Sequence, residues 1–309
     1  MSATPPAAPS GGFAAALAAG PLVLDGGLSN QLSDAGYDLS DELWSARLLA
    51  DDPAALTGAH LGYYRAGASV AITASYQASF GGFARHGVGR AAAGRLLARS
   101  VELAREAARQ AEVGRPLWVA ASVGPYGAVL ADGSEYRGGY GLSVAELAAF
   151  HRPRLEALAA AGPDVLAVET IPDTDEAEAV LGLLDGLGVP AWLSFSIEGE
   201  RTRAGQPLAE AFALAAGVPE VLAVGVNCCT PQDADRAVRL AAEVSGKPVV
   251  VYPNSGERWA DGGWRGEPTF RPDRVAGWVA DGARLVGGCC RVGEAQISGL
   301  AHAVRALRR

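Results

Sequence analysis

The chain has 309 residues, 49% of them hydrophobic and 19% charged, with a net charge of -8. That is enough apolar material for a large core, and an acidic balance without a basic block excludes a surface built for nucleic acid or an anionic membrane. No apolar run reaches the length that crosses a bilayer.

Residues 1–12 are mostly Ala, Pro, Ser and Gly without charge. With neither a basic start nor an apolar stretch before a cleavage site, they predict a disordered tail rather than a signal peptide, and hence a cytoplasmic protein. The folded domain is then expected over 13–309. From there short β-branched apolar runs alternate with helical periodicity. Strands are predicted at Leu22–Asp25, Ser69–Tyr76, Leu117–Val123, Asp164–Glu169, Ala191–Ile197, Leu222–Asn227, Pro248–Tyr252 and Arg284–Gly288. Between them apolar residues recur at three- and four-residue spacing, as at Leu97, Val101, Ala104 and Ala108. Helices stop at glycine shortly before the next strand, as in Ala161-Gly162-Pro163-Asp164.

Eight βα units with no interdomain linker predict the α/β class and a single (βα)8 TIM barrel. An open doubly wound sheet is the rival. No Gly-x-Gly-x-x-Gly follows the first strand and no Walker-type phosphate loop is present, so nucleotide binding has no support. Two connections, Gly124–Gly141 and Ser255–Phe270, are long and rich in glycine and aromatics. Both follow strands and so rise from the C-terminal face, where barrel active sites sit.

Strands of a parallel barrel all point one way, so polar residues at their ends converge. Asp25 ends strand one and Glu169 strand four; Cys228 ends strand six, Asn254 follows strand seven, and Cys289-Cys290 ends strand eight. The four cysteines, Cys228, Cys229, Cys289 and Cys290, form two adjacent pairs. Three thiolates from two strand ends supply three corners of a tetrahedron around Zn2+ and leave the fourth for substrate. Gly287-Gly288 is expected to let the backbone turn so that neighbouring cysteines reach one ion. Cysteine is also a common small core residue, and composition does not decide between Cys228 and Cys229. Adjacent cysteines rarely close a disulfide and no Cys-x-x-Cys is present, so a redox role is a poor fit.

All-sulfur ligation suits holding a thiol as thiolate better than activating water, which makes thiol alkylation the expected chemistry. His60, His86, His151 and His302 end no predicted strand and read as packing or surface residues. Lys247, the single lysine, precedes strand seven on the opposite face, which argues against Schiff-base catalysis. Asp25-Gly26-Gly27 is equally a turn sequence. A carboxylate at the barrel mouth is better matched by a cationic group such as the ammonium of an amino acid.

Further segments extend the pattern along most of the chain: Tyr63-Tyr64-Arg65-Ala66-Gly67-Ala68, Ile72-Thr73-Ala74-Ser75-Tyr76-Gln77, Ser122-Val123-Gly124-Pro125-Tyr126-Gly127, Ala131-Asp132-Gly133-Ser134-Glu135-Tyr136-Arg137-Gly138, Glu169-Thr170, Gly225-Val226-Asn227-Cys228, Tyr252-Pro253-Asn254-Ser255-Gly256-Glu257 and Gly287-Gly288-Cys289-Cys290-Arg291. With these the chain resembles the zinc-dependent homocysteine S-methyltransferases, especially the branch that uses S-methylmethionine in methionine biosynthesis. The resemblance implies zinc held by Cys228, Cys289 and Cys290. It implies that Asp25 and Glu169 bind homocysteine, with Asn254 and Ser255 lining the same site and Cys229 left to packing. The sequence departs from the family pattern at Ser29-Asn30, Ser33 and Val168, none of them in the metal set.

The partners so implied are homocysteine and a methylated sulfonium donor. A cationic donor favours aromatic faces, for which Tyr76, Tyr126, Trp259 and Trp264 are candidates. The alternatives are the same chemistry with S-adenosylmethionine or betaine, or a zinc- or thiol-binding protein without turnover.

Overall fold

The computed structural model describes residues 12–39, 43–260 and 263–308. The main sheet contains β1 (Leu22–Val23), β2 (Val70–Ile72), β3 (Trp118–Val123), β4 (Val165–Ile171), β5 (Ala191–Phe195), β6 (Val221–Asn227), β7 (Val249–Tyr252) and β8 (Ala283–Val286). From β2 to β8 each strand is parallel to the next, and β8 pairs back onto β1. The β1–β2 seam is closed by a Leu24–Val70 bridge, continued by Asp25 N–H donating to Val70 O at 3.0 Å. The α/β barrel expected from the sequence is therefore present. Small hairpins follow two of the strands, Ile197–Glu198 with Arg201–Thr202 after β5 and Arg258–Ala260 with Gly263–Arg265 after β7.

Successive side chains on a strand point to opposite faces, and here both faces are buried. Leu22, Leu24, Trp118, Ala120, Val165, Ala167, Val250 and Leu285 share the lumen cluster. Val23, Val119, Ala121, Leu166, Val168, Val249, Val251 and Val286 pack outward beneath the helices. That two-sided burial explains why the strands read as continuous apolar runs.

Helix starts are fixed locally. Ser143 and Glu146 form a capping box for the helix Val144–Ala160, and the Thr230 hydroxyl accepts from Asp233 N at the head of Pro231–Ser245. Each satisfies backbone donors that the first helical turn leaves free.

Two details differ from the sequence reading. Gly12 opens a helix, Gly12–Ala19, whose Phe13 and Leu17 join the lumen cluster, Phe13 meeting Trp118 edge-on at 5.7 Å. Residues 1–11 of the predicted tail lie outside the described residues. The strand expected over Ser69–Tyr76 stops at Ile72, whose N–H donates to the Asp25 carboxylate at 2.8 Å. Beyond it the chain turns, Ala78 N–H reaching Ser75 O. Lys247 sits at the N-terminal end, its ammonium donating to Val218 O and Val221 O. Among the described residues no helix is long and apolar enough to cross a membrane.

Candidate metal centre

Strained backbone marks the C-terminal rim. Thr170, Cys228 and Arg291 have φ of 60°, 52° and 61°, a left-handed conformation that side chains resist and that clusters at functional sites. At Thr170 the register of β4 against β5 shifts, a bulge that lets neighbouring Glu169 and Thr170 both face the rim cavity. At Cys228 the left-handed turn separates two adjacent cysteines: Cys228 lines the cavity while Cys229 packs into the core between strands and helices.

The Gly287-Gly288 pair works differently from the expected sharp turn. Neither glycine has a positive φ; each is needed for close approach. A Cβ at Gly288 would stand 2.1 Å from Val292 Cγ1, and one at Gly287 2.6 Å from Leu24 Cβ. The turn comes after them, where Val292 N–H donates to Cys289 O, and it sets Cys289 and Cys290 on the same cavity.

The Sγ atoms of Cys228, Cys289 and Cys290 all lie within 4.8 Å of one another, with Cys228 and Cys290 at 3.8 Å. Zn–S bonds of about 2.3 Å in a tetrahedron set S···S edges of about 3.8 Å, so the donor set fits such an ion. The thiols of Cys289 and Cys290, and then the Tyr136 hydroxyl, hydrogen-bond to Cys228 and hold it well below the ordinary thiol range; Cys289 and Cys290 are pushed up in return. Within the cluster Cys228 is thus the thiol whose ionised form its neighbours favour.

These sulfurs border a cavity of about 130 Å3 whose wall includes Thr73, Tyr76, Gln77, Glu135, Tyr136, Glu169, Thr170 and Tyr252. No Lys, Arg or His is among the described residues lining it. The Glu169 carboxylate accepts from the Ser122 hydroxyl and, at 3.0 Å, from the Tyr252 hydroxyl. Burial nonetheless pushes its pKa to about 7. Burial also raises the pKa of Asp25 well above the ordinary carboxylate range; Asp25 is 1% exposed and has one oxygen on Ile72 N–H and the other, Oδ1, without a partner.

Tyr76 packs closely on Gly124, where a Cβ would come within 2.6 Å of its ring. Arg154, fully buried on the helix Val144–Ala160, donates to Gly124 O at 2.8 Å and secures that wall.

Of the residues singled out in the sequence, Tyr76, Glu169, Cys228, Cys289 and Cys290 meet at the cavity. Asp25, Asn254 and Ser255 stand behind its wall. Asn254 Oδ1 accepts from Cys290 N at 3.1 Å, and Ser255 N–H donates to Cys290 O at 3.0 Å, so the loop after β7 ties down the cysteine loop after β8. Tyr126 packs instead on Tyr140 and Phe150. Trp264 lies beneath Arg291, outside the cavity; the Trp259 side chain lies outside the described residues. His60 and His151 are buried packing residues, His151 bonded to Glu176 at 2.8 Å.

Sequence reasoning passed over Glu135, Tyr136 and Asn227. Their signal was the length of the loop after β3 and, for Asn227, a polar residue inside an apolar strand. Asn227 Oδ1 accepts from Thr170 N and the Ser194 hydroxyl, and its Nδ2 donates to Thr170 Oγ1, so it braces the strained residue beside Glu169.

A family model described as homocysteine S-methyltransferase matches residues 22–304. The homocysteine S-methyltransferase of Escherichia coli (strain K12) is 46% identical over 290 residues, covering 90% of this chain and 94% of its own. The selenocysteine Se-methyltransferase of Brassica oleracea var. italica is 41% identical over 296 residues, covering 88% and 85%. The metallated form of the Escherichia coli homocysteine methyltransferase MmuM superposes with a TM-score of 0.83 at 45% identity, over 91% of this chain and 96% of that one.

Proposed function

The chain belongs to the homocysteine S-methyltransferase family, and we propose that it moves a methyl group from a sulfonium donor, S-methylmethionine by preference, to the sulfur of homocysteine, giving methionine. The observation that carries this reading is the trio of Sγ atoms within 4.8 Å of one another on a cavity lined by two carboxylates and, among the described residues, by no Lys, Arg or His. Cys228, Cys289 and Cys290 would hold zinc. Bound there, the ion supplies the Lewis acidity that brings a substrate thiol to its nucleophilic thiolate form at neutral pH.

The chain's own groups do the rest. Glu169 takes the ammonium of homocysteine, its carboxylate already oriented by Ser122 and Tyr252. Asp25 supports the same charge from behind the wall through its unpartnered Oδ1. Asn254 and Ser255 hold the cysteine loop in register. Tyr76 offers an aromatic face to the cationic donor. The cytoplasm suits the reaction, because there the three thiols stay reduced.

The test is to incubate zinc-loaded, reduced protein with homocysteine and each of S-methylmethionine, S-adenosylmethionine and betaine, and to quantify methionine. Product from S-methylmethionine, lost on chelation, is expected. Product from another donor alone would replace the donor assignment, and no product from any would overturn the reading.

A further inference from the structure

Glu135 is a buried carboxylate that the chemistry described so far leaves unused. It sits in the short 3-10 turn Ser134–Tyr136 and is 5% exposed. It lines the cavity beside Tyr76 and Tyr136, and its Oε2 is buried without a hydrogen-bond partner. The turn is rigidly placed: Ser134 N–H donates to Asp132 at 2.9 Å, and a Cβ on Gly127 would stand 2.5 Å from Glu135 N. The adjacent Arg137 pairs with Asp132 at 3.5 Å. Arg137 acts on Glu135 only as a weak through-space charge, without an ion pair; a buried carboxylate without an ion-pair partner is costly, and such a cost is met when a cationic ligand fills the cavity.

We propose that Glu135 is the recognition group for the charge of the methyl donor, seating a sulfonium cation between its carboxylate and the Tyr76 ring. This deepens the methyl-transfer reading and rests on it. Homocysteine's ammonium is assigned to Glu169 and Asp25; of the two cations the donor brings, its ammonium and its sulfonium, the sulfonium is the one an aromatic face also favours, and Glu135 lines the cavity with the Tyr76 ring. Burial, and secondarily the nearby Cys228 charge, push the Glu135 pKa to about 7; a sulfonium at contact distance favours the ionised form.

The role has a kinetic signature. In the transfer the homocysteine thiolate gives an electron pair to the methyl carbon, the carbon–sulfur bond of the donor breaks, and that pair returns to the donor sulfur, leaving a neutral thioether. The donor's positive charge therefore fades along the reaction. A fixed carboxylate stabilises the bound donor at least as well as the transition state, so it acts on donor binding rather than on the chemical step. It also discriminates against neutral methyl compounds and lets the uncharged product leave.

The experiment compares wild type with Glu135→Gln, zinc-loaded, by steady-state kinetics, metal analysis and calorimetric binding. The binding probes are S-methylmethionine and homoleucine, its isostere with carbon in place of the sulfonium sulfur. Wild type should bind the sulfonium on the order of tenfold more tightly than homoleucine. The variant should lose that preference, with donor KM raised about as much, and with homocysteine KM and metal content unchanged. Equal affinity of wild type for the two probes, or a variant that keeps the preference, overturns the proposal; the wild-type comparison decides even if the variant does not fold. Failure of wild type to make methionine from any sulfonium would instead sink the underlying reading.

Discussion

The Tyr136 hydroxyl stands 3.3 Å from Cys228 Sγ, joining the loop after β3 to the end of β6. A phenol donating to a thiolate stabilises the charged sulfur. In metal-free, reduced protein, Tyr136→Phe should therefore move the pH midpoint of Cys228 alkylation upward. Mass-resolved alkylation against pH measures it; an unmoved midpoint would show that the hydroxyl does not donate to this sulfur.

Removing one corner of the sulfur trio should be decisive for the ion. Cys289→Ala is expected to drop bound zinc from one per chain to a small fraction and to abolish methionine formation. Cys229→Ala, whose thiol packs in the core away from the trio, should keep the metal and lose only stability, by about 1 kcal/mol. Metal analysis of both purified variants separates the two roles. Zinc retained by Cys289→Ala would contradict the ligand set.

Asn227→Ala removes three hydrogen bonds at once, two of them to the strained Thr170. The loss leaves a buried backbone N–H unsatisfied, and the expected cost is about 3 kcal/mol. Because Thr170 follows Glu169 directly, homocysteine affinity should fall along with stability. Denaturant unfolding at fixed metal content and a homocysteine titration check the two effects; a variant within about 0.5 kcal/mol of wild type would mean the brace is redundant.

The fully buried His60 has neither ring nitrogen hydrogen-bonded, and burial lowers its pKa from 6.5 to about 4. The unfolded chain then binds a proton at a pH where the native state refuses it. Stability contributed by the neutral ring is complete above pH 6.5 and falls as pH drops toward 4, by about 3 kcal/mol in all. His60→Leu should flatten that part of the acid limb while leaving the neutral-pH stability similar or higher. Unfolding curves at pH 7 and pH 5 read the difference; an acid limb of unchanged steepness would assign the loss to other groups.

The barrel was legible because a parallel sheet buried on both faces imposes long apolar runs at regular spacing, and because strand direction turns scattered residues such as Glu169, Cys228 and Cys289 into neighbours. Features set by contacts distant in sequence are where the reading fell short. The lumen plug at Phe13 and Leu17 lies in an alanine-rich stretch with little amphipathic signal. The early end of β2 depends on a side chain, Asp25, replacing a strand partner, which no pattern within 69–76 encodes. Glu135 and Tyr136 reach the cavity only through the path of a long loop. That Gly287 and Gly288 serve close approach rather than a left-handed turn follows from neighbours distant in sequence, Leu24 among them.

The loop that follows the last strand, β8, carries two of the three clustered sulfurs, and β8 is also the strand that zips onto β1. Gly288 N–H reaches Asp25 O, and Arg291 N–H reaches Asn30 Oδ1 across 261 positions. A growing polypeptide accordingly cannot complete the centre until Arg291 has been synthesised and the segments around Asp25 and Gly288 have met. Contacts of such long separation form slowly. An ion held by the three sulfurs would thus be captured late in biogenesis, after the ring has closed, and would report that closure.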